Sequence, residues 1–279
     1  METSTLLSAP RVVADSQQEP LERNLSRPRP TVAPFARSLS LLAAFTHDAR
    51  WLGNCDLVAR TGLPASTVTR IAHSLVALGY LRYAADRRKF CLCASVLALG
   101  YGAVAESDVQ RVTNERMQNF AKRHQVHVNL CTRSRLDLIV IDSCHSPALP
   151  ASLQLDVGTR LSLTSSAAGW ALLASLPDSE RNYLMRSADH HAHSGNGRLR
   201  FRSGEAIGHV HDAGYCVSPG EAGQPMTMVA APIRLAGQAP LALSCMGPST
   251  LMNRTRTSRE LGPALVSLAQ EIQHQRLAA

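Results

Sequence analysis

Apolar residues recur at helical spacing through the first third of the chain. Leu39, Leu42, Ala43 and Phe45 fall on one face of a first helix. Leu57 and Val58 belong to a second, running from about Asp56 to Thr61, with Asn54 or Asp56 as its cap and Gly62 as its stop. Pro64 opens a third, where its missing N–H costs little. Along that helix Val68, Ile71, Leu75 and Leu78 recur at spacings of 3, 4 and 3, which predicts a core stripe. The opposite arc is polar, with Ser66, Thr69, Arg70 and His73, and Thr67 beside them. After Gly79 the pattern changes: 81–83 and 90–92 read as two short strands around a turn over 84–89.

The remainder mixes both periods. Residues 104–125, rich in polar helix formers, predict a connecting helix. Val126, Val128 and Leu130 alternate as a strand, a turn follows at 135–137, and 138–141 predicts a more buried strand. Ser165 and Ser166 cap a helix through 167–176 that Pro177 ends. Short helices are expected over 179–185 and 204–213, and strands over 226–233 and 241–246, with Gly237 turning the chain between the strands. Leu261, Leu265, Leu268 and Ile272 mark a final helix. Strands that pair with their sequence neighbours point to an antiparallel sheet flanked by helices, so the expected class is α+β.

Composition adds limits. A chain of 279 residues favours two domains. Pro10, Pro20, Pro28 and Pro30, with Pro34 just beyond, lie among Ser, Gln, Glu and Arg, and residues 1–33 read as a disordered tail. The expected division is a tail over 1–33, a helical domain with a hairpin over 34–95, a connecting region over 96–125 and a second domain over 126–279. The longest apolar run, 94–105, is broken by Ser95, Gly100 and Gly102 and falls short of the roughly 20 residues that span a bilayer. Without an apolar signal core near its start, the chain is expected to be cytoplasmic. Seven cysteines with no CxxC pair suit a reducing compartment.

The formal charge of +8 becomes informative once it is partitioned. Residues 1–22 carry one basic and four acidic side chains; 23–95 carry eleven basic and three acidic; 96–279 carry seventeen and fourteen. The second segment alone therefore accounts for a charge of +8. Two short helices joined by a tight turn, the second polar on its outer arc, make a helix-turn-helix, whose second helix enters the major groove. Ser66, Thr67, Thr69, Arg70 and His73 are the candidates for base edges, and the hairpin tip Arg87, Arg88 and Lys89 for the phosphate backbone. The expected partner is double-stranded DNA.

The residues that carry this pattern resemble a known family. Arg37 to Leu42, Asp56 to Arg70 and Leu78 to Leu81 are similar to the winged helix-turn-helix of IclR-type transcriptional regulators, and 90–93 with 96–100 to its wing exit and linker. Asn129-Leu130, Val157-Gly158, Ala168-Gly169 with 171–174, Gly214-Tyr215, Gly220-Glu221, 230–232 and Gly247-Pro248 resemble its effector-binding domain; Trp170 stands where that pattern usually has Lys. The resemblance implies a homodimer, often paired as a tetramer, that binds operator DNA, and a GAF-like domain that holds a small effector over its sheet. It places the pocket at Leu153, Leu161, Ala167, Ala168, Met226, Met228, Ser244 and Met246. Methionines two apart share a strand face and make an adaptable wall, and the helix N-terminus near 165–168 favours an anion. The expected effector is a small organic acid with an apolar or aromatic body.

Other chemistry is weaker. The His-rich stretch 189–193, with His209 and His211, reads as a polar loop rather than a metal site, because histidines at i and i+2 lie on different faces of a helix. No cofactor is expected. There is no GxSxG, GxxxxGK[ST] or HExxH motif, and the adjacent Cys144 and His145 diverge in a strand, so no catalytic role is expected. The competing readings are a metabolite-binding protein that controls a protein partner through its basic domain, and a small-molecule enzyme.

Overall fold

The computed structural model describes residues 32–46, 49–105, 108–191, 197–219, 226–235 and 238–277. Nearly all of the expected tail, the Gly237 turn, Gly220-Glu221 and the side chains of the histidine stretch lie outside what is described.

The first core gathers α1 (Ala33–Leu42), α2 (Asn54–Thr61), α3 (Ala65–Ala77) and a hairpin of β1 (Leu81–Ala84) and β2 (Lys89–Leu92). Leu41, Phe45, Leu52, Leu57, Val68, Ile71, Ala72, Leu75, Leu81 and Phe90 close it. Gly62 ends α2 in the left-handed conformation at φ 66°, which only glycine adopts without strain, and its N–H returns to the Val58 carbonyl. The α2 cap is Asp56 in the first turn, accepting from the Gly53 N–H at 2.9 Å. Leu52 exchanges both backbone hydrogen bonds with Phe90, at 3.1 and 2.8 Å, and so fastens the chain before α2 to the wing.

Two expectations about this core are corrected. Leu39 and Ala43 face solvent, and Leu41 and Ala44 take the buried positions. The helix ends at Leu42, so the phase carried on to Phe45 does not apply. Leu78 is also exposed: it is the C-cap of α3, past the last turn that packs, while Ala72 fills the stripe between Val68 and Leu75.

The connecting region contains two helices, α4 (Ala94–Ala105) and α5 (Asp108–His124). The second body is a six-stranded antiparallel sheet. Its strands are β3 (His127–Ser134), β4 (Asp137–Cys144), β5 (Arg160–Ser162), β6 (Cys216–Ser218), β7 (Met226–Ile233) and β8 (Leu241–Pro248), in the order β5-β4-β3-β8-β7-β6. The short edges β5 and β6 carry too few residues to show a period. In β4 buried and half-buried positions alternate along the strand, so it is not, as was expected, the more buried of the pair; β3 is buried over its first five residues.

Helices cover both faces. On one, α5 and α10 (Gly262–Leu277) pack on Val128, Leu130, Val229, Ala231, Leu243 and Cys245. A short turn, α9 (Arg254–Arg256), leads through a π turn into α10. Leu261, Leu265, Leu268 and Ile272 are buried, as their spacing predicts. On the other face, α6 (Ala167–Ser175) and α8 (Gly197–Ala213) cover Cys131, Leu138, Val140, Ala230 and Ala242; α7 (Asp178–His191) adds Leu184. Both α7 and α8 are longer than expected. At Gly169 a β-carbon would sit 2.2 Å from the Leu163 carbonyl oxygen, so only glycine lets α6 approach this closely. Trp170 is buried, its Nε1–H donating to the Thr164 carbonyl at 2.7 Å, with the Arg202 guanidinium 6.0 Å from its ring. Among the described residues, no helix is long and apolar enough to cross a membrane.

Candidate functional site

The first candidate surface is the outer arc of α3 with the wing. Ser66, Arg70 and His73 are exposed; Thr67 and Thr69 are half-buried. The Thr69 hydroxyl is engaged inside the protein: it donates to the Ala65 carbonyl at 2.9 Å and accepts from Asn54 Nδ2 at 2.7 Å. This position therefore fixes α2 against α3. The His73 ring meets Phe90 edge-on, with centroids 6.1 Å apart, where helix and wing touch.

On the wing, Arg87 and Arg88 are exposed. Arg88 has φ 50°, the tight conformation of the hairpin tip. Lys89 Nζ stands 3.9 Å from Asp56 Oδ2, so a phosphate contact there competes with a carboxylate. Two residues outside the expected set shape this surface. The Trp51 ring lies under the guanidinium groups of both Arg82 and Arg87, at 5.5 and 5.1 Å. Sequence offered only one hint: Arg82 alternates with the buried Leu81 and so had to face out. Trp51 lies outside every periodic segment, and no pattern marked it.

The second candidate surface is the sheet face under α6. Register assigns its residues in two rows. One runs His127, Met246, Met228, Ser218; the next runs Ser143, Asn129, Ser244, Ala230, Cys216. Met226, Met228, Ser244 and Met246 thus share a face, and Met228 packs against the α6 core. Ala167 and Ala168 are fully buried in the opening turn of α6, behind the N-cap Ser166, whose hydroxyl accepts from the Gly169 N–H at 3.0 Å. The Ala167 carbonyl accepts from the Cys216 thiol at 3.3 Å, so this turn sits at the end of the second row. Leu161 packs into the same core, whereas Leu153, in a short 3-10 turn over Ala151–Leu153, is half-buried and joins neither core cluster.

Polar groups on this face went unrecognised in the sequence. His127 and Asn129 are fully buried. Ser146 N–H donates to His127 Nδ1 at 3.2 Å, and Nε2 makes no hydrogen bond. Asn129 Oδ1 accepts from Ser143 Oγ at 2.9 Å, Nδ2 has no partner, and Ser143 Oγ lies 2.8 Å from His145 Nε2. Burial holds the His127 pKa below its ordinary value; the neighbouring His145 lowers it further, and the Pro150 carbonyl offsets part of this. The signal was present in the alternation: with Val128 and Leu130 in one core, His127 and Asn129 must point into the other.

Other concavities have different character. A cavity of about 330 Å3 beside α6 is lined by Trp170, Arg202, Ala206, Cys216 and Val217. A larger one, about 970 Å3, is a groove between α5 and α10 on the opposite face, walled by the Arg116–Glu271 ion pair. Cys144 is turned to α5, with its thiol on the Asn114 carbonyl and its pKa pushed up to about 11 by burial, away from His145. His209 is bound to the Tyr215 carbonyl at 2.7 Å. No cluster of three metal-ligating side chains occurs among the described residues.

Comparison with known proteins finds relatives over both parts of the chain. The IclR helix-turn-helix domain family matches residues 35–85, and the family described as bacterial transcriptional regulator IclR C-terminal matches 101–274. The HTH-type transcriptional regulator TsaQ1/TsaQ2 of Comamonas testosteroni is 30% identical over 250 residues, covering 89% of this chain and 90% of that protein. An IclR family transcriptional regulator from Brucella abortus superposes with a TM-score of 0.77 at 30% identity, over 89% of this chain and 94% of that one. An IclR homolog from Microbacterium hydrocarbonoxydans, solved in complex with 4-hydroxybenzoate, shares the fold with a TM-score of 0.67 at 24% identity, over 88% and 100% of the two chains. These relatives are transcriptional regulators, not enzymes. The chain, with its helix-turn-helix and its helix-covered antiparallel sheet, belongs to the IclR family of bacterial transcriptional regulators.

Proposed function

We propose that this regulator binds double-stranded operator DNA through residues 34–95 and senses a small organic acid through residues 126–279, with 96–125 carrying the signal between them. Ser66, Thr67, Arg70 and His73 approach base edges, Thr69 sets the angle of their helix, and Arg87, Arg88 and Lys89 hold phosphates. The effector lies between the opening turn of α6, at Ala167 and Ala168, and Met226, Met228, Ser244 and Met246, with Leu153 and Leu161 at its margin. The carrying observation is the second surface itself: adaptable thioethers and a hydroxyl share one sheet face, and the opening turn of α6 is buried in the core that Met228 packs against.

Phe35 and Leu39 on α1, and Leu97 and Leu99 on α4, are each at least 61% exposed. Large apolar side chains at that exposure support a homodimer or a dimer of dimers. A paired protein would set two recognition helices about 34–36 Å apart on one DNA face. A DNA-binding family and the absence of a membrane-spanning helix among the described residues support a cytoplasmic location.

The test is binding of the full chain to its own upstream DNA over a range of salt, with and without organic acids, 4-hydroxybenzoate among them. Salt-sensitive, sequence-selective binding that an acid shifts is the expected result. Absence of DNA binding would return the basic region to a protein-interface role, and a shift by neutral metabolites alone would overturn the acid.

A further inference from the structure

Two buried hydrogen-bond donors stand unpartnered, two residues apart, on the sheet face read above as the effector site. His127 and Asn129 are both 0% exposed. Because Ser146 N–H donates to His127 Nδ1, that nitrogen carries the lone pair and the ring proton sits on Nε2, which has no partner at hydrogen-bond geometry, the Pro150 carbonyl standing near the ring without closing such a bond. Because Asn129 Oδ1 accepts from the Ser143 hydroxyl, the amide is oriented with Nδ2 free. Buried polar groups are satisfied in the great majority of cases, and a pair of like character left over on one face calls for a common partner. Both groups donate, so the partner must accept. Residues i and i+2 of a strand are about 6.6 Å apart along it, a span that the two oxygens of one carboxylate reach from between them.

The flanking residues set the rest of the molecule. His127 pairs with Met246, and Met246 with Met228; Asn129 pairs with Ser244. A ligand whose acceptor end meets the donors therefore lays its body along two thioethers, a surface suited to a flat apolar group. No Lys or Arg takes part in these rows, so recognition is by hydrogen bonding from neutral groups.

We propose that His127 Nε2–H and Asn129 Nδ2 form the carboxylate-recognising end of the effector site, and that the effector is a monocarboxylate whose apolar body rests on Met228 and Met246. This rests on the placement of the effector over this sheet face.

The experiment uses the full-length protein and a fixed panel of benzoate, 4-hydroxybenzoate, phenylacetate and octanoate, each beside its methyl ester. Calorimetry measures binding, DNA affinity reports the response, and the Nε2–H resonance of His127 reports the contact in the unaltered protein. The expected result is that at least one acid binds, its ester binds much more weakly, and the His127 resonance moves downfield. His127→Leu and Asn129→Leu should each weaken the acid about 10- to 100-fold, the range expected for losing a buried hydrogen bond to a charged group. His127→Gln, which can place an amide donor near Nε2, should recover part of the affinity. Far-ultraviolet circular dichroism and an unchanged urea unfolding profile of the C-terminal domain verify that each variant is folded. If an acid binds and shifts DNA affinity but the variants and the resonance are indifferent, the proposed donors are wrong and the effector-site reading survives. If no acid binds, or esters bind as well, both fail.

Discussion

Asn54 and Thr69 join the two helices of the DNA-reading head: the Asn54 amide donates to the Thr69 hydroxyl at 2.7 Å. A side chain on the outer arc of α3 thus sets the angle at which that arc is presented. Arg70, its neighbour, is exposed and free of any such duty toward α2.

This separates two kinds of loss. Thr69→Val keeps the shape but leaves the Asn54 amide without its acceptor, and should destabilise the head by about 1–2 kcal/mol. DNA affinity should then fall similarly for operator and unrelated sequence. Thermal unfolding and competition binding test it; a selective loss at one base pair would give Thr69 a direct contact instead.

Arg70→Ala should reduce discrimination between operator and non-operator DNA while leaving the salt dependence nearly unchanged. Lys89→Ala should weaken all DNA alike and reduce the magnitude of the log–log salt slope by about 1. Because Lys89 is 3.9 Å from Asp56, its effect should be smaller than that of Arg88→Ala. Titrations across a salt series distinguish these outcomes.

Glycines of equal helical cost should behave oppositely. Gly169→Ala forces a β-carbon to 2.2 Å from the Leu163 carbonyl and should cost about 3 kcal/mol. Gly204→Ala, exposed on α8 with nothing within 4 Å of the new carbon, should stabilise by up to about 1 kcal/mol. Urea midpoints of the two variants decide it.

Thiol reactivity should be graded by burial. Cys131, Cys216 and Cys245 have pKa values pushed up to about 12 by burial, and Cys144 to about 11, so these thiols stay protonated. Cys55 is exposed and Cys93 half-buried. Native protein should therefore label rapidly at Cys55, more slowly at Cys93, and elsewhere only on unfolding, as read by peptide mass mapping.

Stability should fall on mild acidification through His127. The ring faces His145, the Ser146 N–H and the Pro150 carbonyl, and its folded pKa lies below the ordinary 6.5. The unfolded chain takes up a proton as pH drops through that value while the folded ring resists, so stability is full above about 6.5 and declines below it. His127→Gln should flatten this part of the pH profile in urea unfolding.

The second and third helices, the wing, the central strands and the last helix were legible in sequence, because each writes its own local period and its own stop signals: Gly62, Gly79, Pro177. The first helix was legible as a helix, but its buried face was not, since the phase depends on where the helix ends. The basic charge of 23–95 marked the surface that faces DNA without any coordinates. Three facts needed the tertiary structure. Trp51 comes under Arg82 and Arg87 only when the strap before α2 bonds to the wing, a contact nearly forty residues long-range at Leu52 and Phe90. Thr69 is partly a structural residue because Asn54, fifteen positions earlier, is folded against it. His127 and Asn129 are ordinary polar residues in sequence; the order β4-β3-β8-β7 buries them beside Ser244, Met246 and Met228, and the bonds made by Ser146 and Ser143 decide which of their atoms are left free. Local pattern determines which elements form, because it acts within a few residues. The identity of the recognising atoms depends on pairings between distant strands, which only the assembled sheet supplies.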